Sequence, residues 1–271
     1  MKEIDLKKLK KIQLEMLDYI DKFCEENEIR YWIDSGTLLG AVRHKGYIPW
    51  DDDIDLGMLR KDYDKFVNLF NKKCDPSYRF DCYECNKNYT KPYGKVLDLR
   101  TVMYEPDKKT GVKSSVFVDV FPYDNIADDE KARNKQFRIR DRCKKLNNLQ
   151  QFDGFYIKKK NKYNFIRHPL HAILQLLPKG FFIEKSILNC KKFEKQKTKN
   201  VGNLAGNTKQ YCNKGVFDDF VLLWFEGKKY PAPIGYDEWL RSFYGDYMKL
   251  PPKEKQVSHH RFEAYEVKEG D

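Results

Sequence analysis

The stretch that most constrains this chain runs from residue 31 to residue 60, YWIDSGTLLGAVRHKGYIPWDDDIDLGMLR. In its last third, DIDLGM, acid and apolar residues alternate from Asp53 to Met58. A strand has a side-chain period of two, so Asp53 and Asp55 take one face and Ile54 and Leu56 the other. That predicts a strand of a sheet with one greasy face and one face that is wet or binds something. Two carboxylates side by side repel and raise one pKa unless a cation sits between them. A divalent cation with hard oxygen ligands removes the conflict, and Mg²⁺ takes only one or two carboxylates plus waters and substrate phosphates. The pair suits a phosphate-transfer metal site, although a lone Asp-x-Asp is also compatible with a solvated strand edge.

The residues upstream add parts of the same kind. Tyr31-Trp32-Ile33 reads as a short strand, Asp34-Ser35-Gly36-Thr37 as a turn, and Leu38 to Arg43 as a short helix. Ser35, Gly36 and Thr37 then present backbone N–H groups at a helix N-terminus, where a phosphate is stabilised. Gly36 permits a close backbone approach, and Arg43 and Lys45 add cations for phosphate oxygens. A third acid from another strand would complete the site. Asp119, the single charge in the β-prone run VFVDVF, is the candidate. Asp52 ranks lower, because a strand starting there turns it to the opposite face.

Elsewhere the pattern predicts helices over 5–27, 60–72, 128–150 and 236–243, and strands over 78–83, 92–104 and 116–121. VLLWFEGKKYPAP reads as a hairpin turning near Glu226-Gly227. Residues 153–167 are basic and irregular, and two apolar runs follow, broken at Pro178 and Gly180. The fold class is α+β, a mixed sheet flanked by helices. The expected seam lies near residue 126, with a catalytic core over 1–125 and a mostly helical region over 126–271 that completes the site and faces the acceptor.

Of the 271 residues, 15% are aromatic and 41% hydrophobic, enough to offset chain entropy, so wholesale disorder is excluded. Lys and Arg outnumber Asp and Glu by 52 to 41, and the surplus of +11 points to anionic partners. Nucleic acid is not expected, since no zinc-finger spacing or aromatic RNA-binding signature is present. The first residues lack the apolar block and cleavage site of a secretory signal. The greasiest run, near His168 to Pro178, is too short for a membrane span. Seven cysteines read as reduced thiols of a cytoplasmic protein. Cys74, Cys82 and Cys85 include a Cys-x-x-Cys but no matching second pair, so zinc is the lesser reading. His259, His260 and Arg261 read as a surface tail or as phosphate contacts. Trp50, Trp239, Tyr244 and Tyr247 read as core residues or as a cage for a quaternary ammonium.

The run GTLLGAVRHKGYIPWDDDIDLG closely resembles the signature of the LicD family of phosphotransferases, whose wider group includes fukutin-related proteins. PYGKVLDLRT (92–101), VFVDVFPYD (116–124) and FYGDYMKLPP (243–252) agree further, whereas residues 126–225 match only loosely. The resemblance implies a nucleotidyltransferase-like core and Mg²⁺-dependent transfer of phosphocholine from CDP-choline, or of an alditol phosphate such as ribitol or glycerol phosphate from another CDP-conjugate. The acceptor would be a hydroxyl of lipopolysaccharide, teichoic acid or another surface glycan, and CMP would leave. By the same resemblance Asp53, Asp55 and Asp119 hold one or two Mg²⁺ ions, and Asp51 or Asp119 accepts the hydroxyl proton. Lys95 is the candidate for a diphosphate contact, or else a surface lysine. The motif equally permits a nucleotidyltransferase that uses an NTP and releases pyrophosphate. A lipid-linked acceptor implies a peripheral site on the inner face of the cell membrane. Lys158 to Lys160 beside Ile173, Leu174, Leu176, Leu177, Phe181 and Phe182 offer a basic and apolar segment for an anionic membrane surface, with Leu177 facing lipid; the alternative is packing on the core.

Overall fold

The structure, a computed structural model, describes residues 2–104, 113–151, 164–206, 208–257 and 263–267. After a two-residue strand, β1 (Lys2–Glu3), helix α1 spans Leu6–Glu26. Asp5 caps it, its carboxylate accepting the Lys8 N–H at 2.7 Å. Leu9, Ile12, Met16, Ile20 and Phe23 form the buried stripe that their spacing predicts. Strand β2 (Trp32–Ile33), helix α2 (Ser35–His44), strand β3 (Asp55–Leu59) and helix α3 (Arg60–Lys73) follow. Then come β4 (Tyr78–Asp81), β5 (Gly94–Tyr104) and β6 (Lys113–Ile126).

The second half carries α4 (Glu130–Gln150), α5 (Asn164–Leu174) and α6 (Phe181–Cys190). Strands β7 (Asn200–Asn203), β8 (Gln210–Asn213), β9 (Phe220–Phe225) and β10 (Lys228–Pro233) come next, then α7 (Tyr236–Tyr244) and β11 (Glu263–Glu266). Helix outweighs strand there, as the sequence suggests, but β7, β8 and β11 join the N-terminal sheet. Among the described residues that sheet runs β1-β11-β5-β6-β3-β2, with β4 also on β5 and β7 and β8 extending from β6. β6 pairs with β7 through Ile126, so the sheet is continuous across the expected seam. The short, Asn-containing segments of β7 and β8 carry little intrinsic strand preference, and pairing of β7 with β6 and of β8 with β7 decides their conformation.

β6 organises the site. It lies antiparallel to β5 and parallel to β3, with Asp119 level with both Lys95 and Asp55. Its far end is tied to α3 by a buried fork: Arg60 Nε and Nη2 donate to the two carboxylate oxygens of Asp124 at 2.7 and 2.8 Å. The β9–β10 hairpin turns through Glu226 and Gly227, with φ values of 48° and 84°. Two successive positive φ angles suit a two-residue hairpin loop.

The basic and apolar segment over 156–188 is described from residue 164 on. Lys158 to Lys160 lie outside the described residues. Leu177 does not face outward: it packs with Leu174 and Phe182 on Cys143 of α4. Among the described residues of this segment the exposed large apolar side chains are Ile173, Leu176 and Leu188. The α4 face supplies the apolar contact that turns Leu177 inward. No helix of the described residues is long and apolar enough to cross a membrane.

Candidate active site

The acids converge where the loop between α2 and β3 meets the start of β3. The expected common strand for Asp53 and Asp55 does not form, because β3 begins at Asp55 and Asp53 belongs to the loop. The alternation therefore does not set the direction of Asp52, which is buried and, unlike Asp51, Asp53 and Asp55, does not line the cleft. Carboxylate oxygens of Asp51, Asp52 and Asp53 lie within 4.8 Å of one another. A turn from Asp51 N–H to the Ile48 carbonyl (2.9 Å) curls the loop. Gln13 on α1 donates to the Asp52 carbonyl at 2.9 Å and accepts from the Tyr47 hydroxyl at 3.1 Å. On the other side Glu226, at the hairpin tip, accepts the Tyr47 N–H at 3.0 Å.

Asp55 follows, its backbone N–H held by the Thr37 hydroxyl at 2.9 Å. Burial pushes the Asp55 carboxyl well above the usual carboxylate range, and Asp53, Asp119, Asp34 and Asp51 push it further. This is an excess of negative charge that a cation would relieve. The donor set, hard oxygens on three adjacent carboxylates with a fourth beside them, fits Mg²⁺ and offers nothing that a soft metal would prefer.

Ser35 and Gly36 form the first turn of α2, whose helix begins three residues earlier than expected. Both line the cleft. A Cβ at Gly36 would lie 2.5 Å from Asp51 Oδ2, so the missing side chain lets that carboxylate sit against the helix N-terminus. Asp34, just before, is fully buried and accepts from the Tyr123 hydroxyl at 2.5 Å and from Trp239 Nε1 at 3.2 Å. Thr37 is buried and its hydroxyl is engaged by Asp55, so it supports the strand and does not reach the cleft. Arg43 lines the cleft and donates to the Tyr247 carbonyl at 2.9 Å.

Asp119 and Lys95 form an ion pair at 2.8 Å, both buried, with the ammonium over the Phe117 ring. The structure thus pairs two residues that the sequence reading assigned separately, to metal and to diphosphate. Neither lines the cleft.

The cleft has a volume of about 990 Å³. Trp50, Tyr244 and Tyr247 line it; Trp239 does not, being buried behind Asp34. Tyr244 is 38% exposed as a residue, yet desolvation of its hydroxyl end, with Asp55, Asp34, Asp51 and Asp53 near it, raises that hydroxyl above its ordinary pKa. Sequence reasoning missed Gln13, Glu226, Phe243 and Asp246. The last two line the cleft within FYGDYMKLPP, a motif that signalled agreement without a role. As for the cysteines, Cys82 and Cys85 have their sulfurs 3.3 Å apart, while Cys74 donates to the Tyr78 carbonyl. Among the described residues they join no group of three metal-ligating side chains.

Comparison with known proteins gives the geometry its context. Residues 28–172 match the family described as LicD/FKTN/FKRP, nucleotidyltransferase domain. The chain is 34% identical to the lipopolysaccharide cholinephosphotransferase LicD of Haemophilus influenzae, over 98% of this chain and 99% of that one. It is 48% identical over 44 residues to the human ribitol 5-phosphate transferase FKRP, or 16% of this chain and 9% of that one. A 60-residue match, 35% identical, links it to the mouse ribitol-5-phosphate transferase FKTN, covering 22% and 13%.

Proposed function

The chain belongs to the LicD/FKTN/FKRP nucleotidyltransferase-domain family, and from that premise we propose that it moves phosphocholine from CDP-choline to a hydroxyl of a cell-surface glycan, with Mg²⁺, releasing CMP. It is a phosphotransferase; lipopolysaccharide is the first acceptor to test and teichoic acid the second. Ribitol or glycerol phosphate from the matching CDP-alditol is the alternative cargo.

The observation that carries this reading is that Asp51, Asp53 and Asp55 line one cleft together with Ser35 and Gly36 of the first turn of α2. Asp53 and Asp55 would hold Mg²⁺, which would supply the charge neutralisation of phosphate oxygens that is most of what phosphoryl transfer requires. Ser35 and Gly36 orient a phosphate by their backbone, and Arg43 adds a cation on the same wall. Asp51 takes the proton of the attacking hydroxyl, because it lines the cleft whereas Asp119 is buried and held by Lys95. Lys95 then acts by fixing Asp119 beside Asp55. Trp50, Tyr244 and Tyr247, which line the cleft together with the acids, suit a quaternary ammonium. Work on a lipid-linked glycan places the protein at the inner membrane face, with Ile173 and Leu176 available to the lipid surface.

The test is a panel of CDP-choline, CDP-ribitol and CDP-glycerol, each with Mg²⁺ and with or without lipopolysaccharide or teichoic acid. The reading expects acceptor-dependent CMP release, highest with CDP-choline. Consumption of an NTP with pyrophosphate release, and no CMP from any conjugate, would replace it.

A further inference from the structure

A second pocket opens between the β4–β5 loop, α4 and α6, with a volume of about 160 Å³. That is below the roughly 300 Å³ at which pockets for drug-sized ligands begin, and leaves room for one sugar or base ring. Its charge is opposite to that of the acid cleft. Lys91, Arg140 and Lys144 line it, and among the described residues no Asp or Glu does. Arg140 is buried and ion-paired with Asp141 outside the wall. Ile183 and Phe182 supply an apolar side.

Asn147 of α4 also lines the pocket. The residue is 5% exposed, and its Nδ2 donates to the Thr90 carbonyl at 3.1 Å. Its Oδ1 is buried and, among the described residues, has no hydrogen-bond partner. A buried acceptor left unpaired is costly, and a ligand group bringing a donor to it would relieve that cost. One wall of the pocket packs against the strand that carries Asp119. Tyr93 lines it and stacks on Phe121, two residues beyond Asp119 on the same face of β6, with ring centroids 4.4 Å apart. The Tyr93 hydroxyl is pushed well up by burial and by Asp119, Tyr89, Asp55 and Asp53.

We propose that this pocket binds a phosphate-bearing ring ligand, its phosphate met by Lys91 and Lys144 and an N–H or O–H donor met by Asn147 Oδ1. Two sources share that chemistry: a nucleotide whose base carries an amino group, and a phosphorylated sugar. The proposal goes beyond the transferase reading, since it concerns binding without metal or turnover.

The test is calorimetric titration of the full chain in EDTA at low salt with CMP, UMP, ribose 5-phosphate, ribose and inorganic phosphate. At least one phosphorylated ring should bind ten or more times tighter than ribose or phosphate. The Lys91→Gln/Lys144→Gln double variant should weaken it at least tenfold, and so should Asn147→Leu where its melting curve shows a folded protein; the lysine pair carries the test if Asn147→Leu does not fold. A CMP preference over UMP of tenfold assigns an amino-bearing base, and equal or tighter binding of ribose 5-phosphate assigns a sugar. The proposal is overturned if no phosphorylated ring binds better than inorganic phosphate. It is equally overturned if binding is unchanged in the lysine variant and lost in Asp53→Asn, which would move the ligand to the acid cleft.

Discussion

Replacing Gly36 by alanine separates stability from chemistry at this site. The new Cβ would stand 2.5 Å from Asp51 Oδ2, whereas ordinary contact begins near 3.4 Å. Asp51 must therefore withdraw by about 1 Å, and a displacement of that size in a reacting group costs on the order of 100-fold in rate. That is roughly 2.7 kcal/mol of transition-state stabilisation. The effect on folding is small and of mixed sign. Alanine gains up to about 1 kcal/mol over glycine in a helix, and moving a carboxylate from the helix N-terminus loses about 0.3–1 kcal/mol. The melting temperature should stay within about 4 °C of wild type, while kcat/KM for CDP-choline falls about 100-fold. Steady-state CMP release and a thermal melt on the same preparation decide it. Wild-type kcat/KM in Gly36→Ala would show that the position of Asp51 is immaterial, and a large drop in melting temperature would show that the activity was lost with the fold.

Arg60→Ala leaves Asp124 buried and unpaired, so it should cost about 3–5 kcal/mol in a denaturant titration; a loss below about 1 kcal/mol would mean that the fork is not holding β6 to α3. Asp55→Asn tests the charge excess through pH. Because the folded pKa of Asp55 is raised, stability from the protonated carboxyl is complete below the unfolded value near 3.9 and is lost as pH rises through the folded value. In EDTA the variant should melt above wild type at pH 7.5 and converge with it near pH 4 (about the unfolded pKa); parallel curves would refute the crowding. Removing divalent ions with EDTA should abolish turnover with unchanged far-UV circular dichroism, and Mg²⁺ should restore it; full activity in EDTA would remove the metal from the mechanism.

Much of the scaffold was legible because it rests on local patterns. The stripes of α1 and α3 follow helical spacing, and Glu226-Gly227 marked the hairpin. Choosing Asp119 as the lone acid in a β-prone run led to the residue that lies level with Asp55. What stayed hidden depends on distant partners. Gln13 reaches across 39 residues to hold the Asp52 carbonyl, and Glu226 across 179 to hold Tyr47. Those bonds brace the loop that carries residues 51–53, which is why a strand-period argument placed Asp53 on a strand that begins only at Asp55. Lys95 and Asp119 likewise carry no sign in the sequence that each neutralises the other; only the β5–β6 register shows it.

The central claim is that these acids serve transfer of the distal phosphate of a CDP-conjugate. It is tested most directly by the fate of label in CDP-choline carrying ³²P in one phosphate at a time, incubated with Mg²⁺ and lipopolysaccharide. Label in the choline-bearing phosphate should appear on the glycan, and label in the cytidine-bearing phosphate should remain in CMP. The Asp53→Asn variant should give neither product. Cytidine-side label on the glycan, with free phosphocholine released, would contradict the assignment and make the reaction a nucleotidyl transfer.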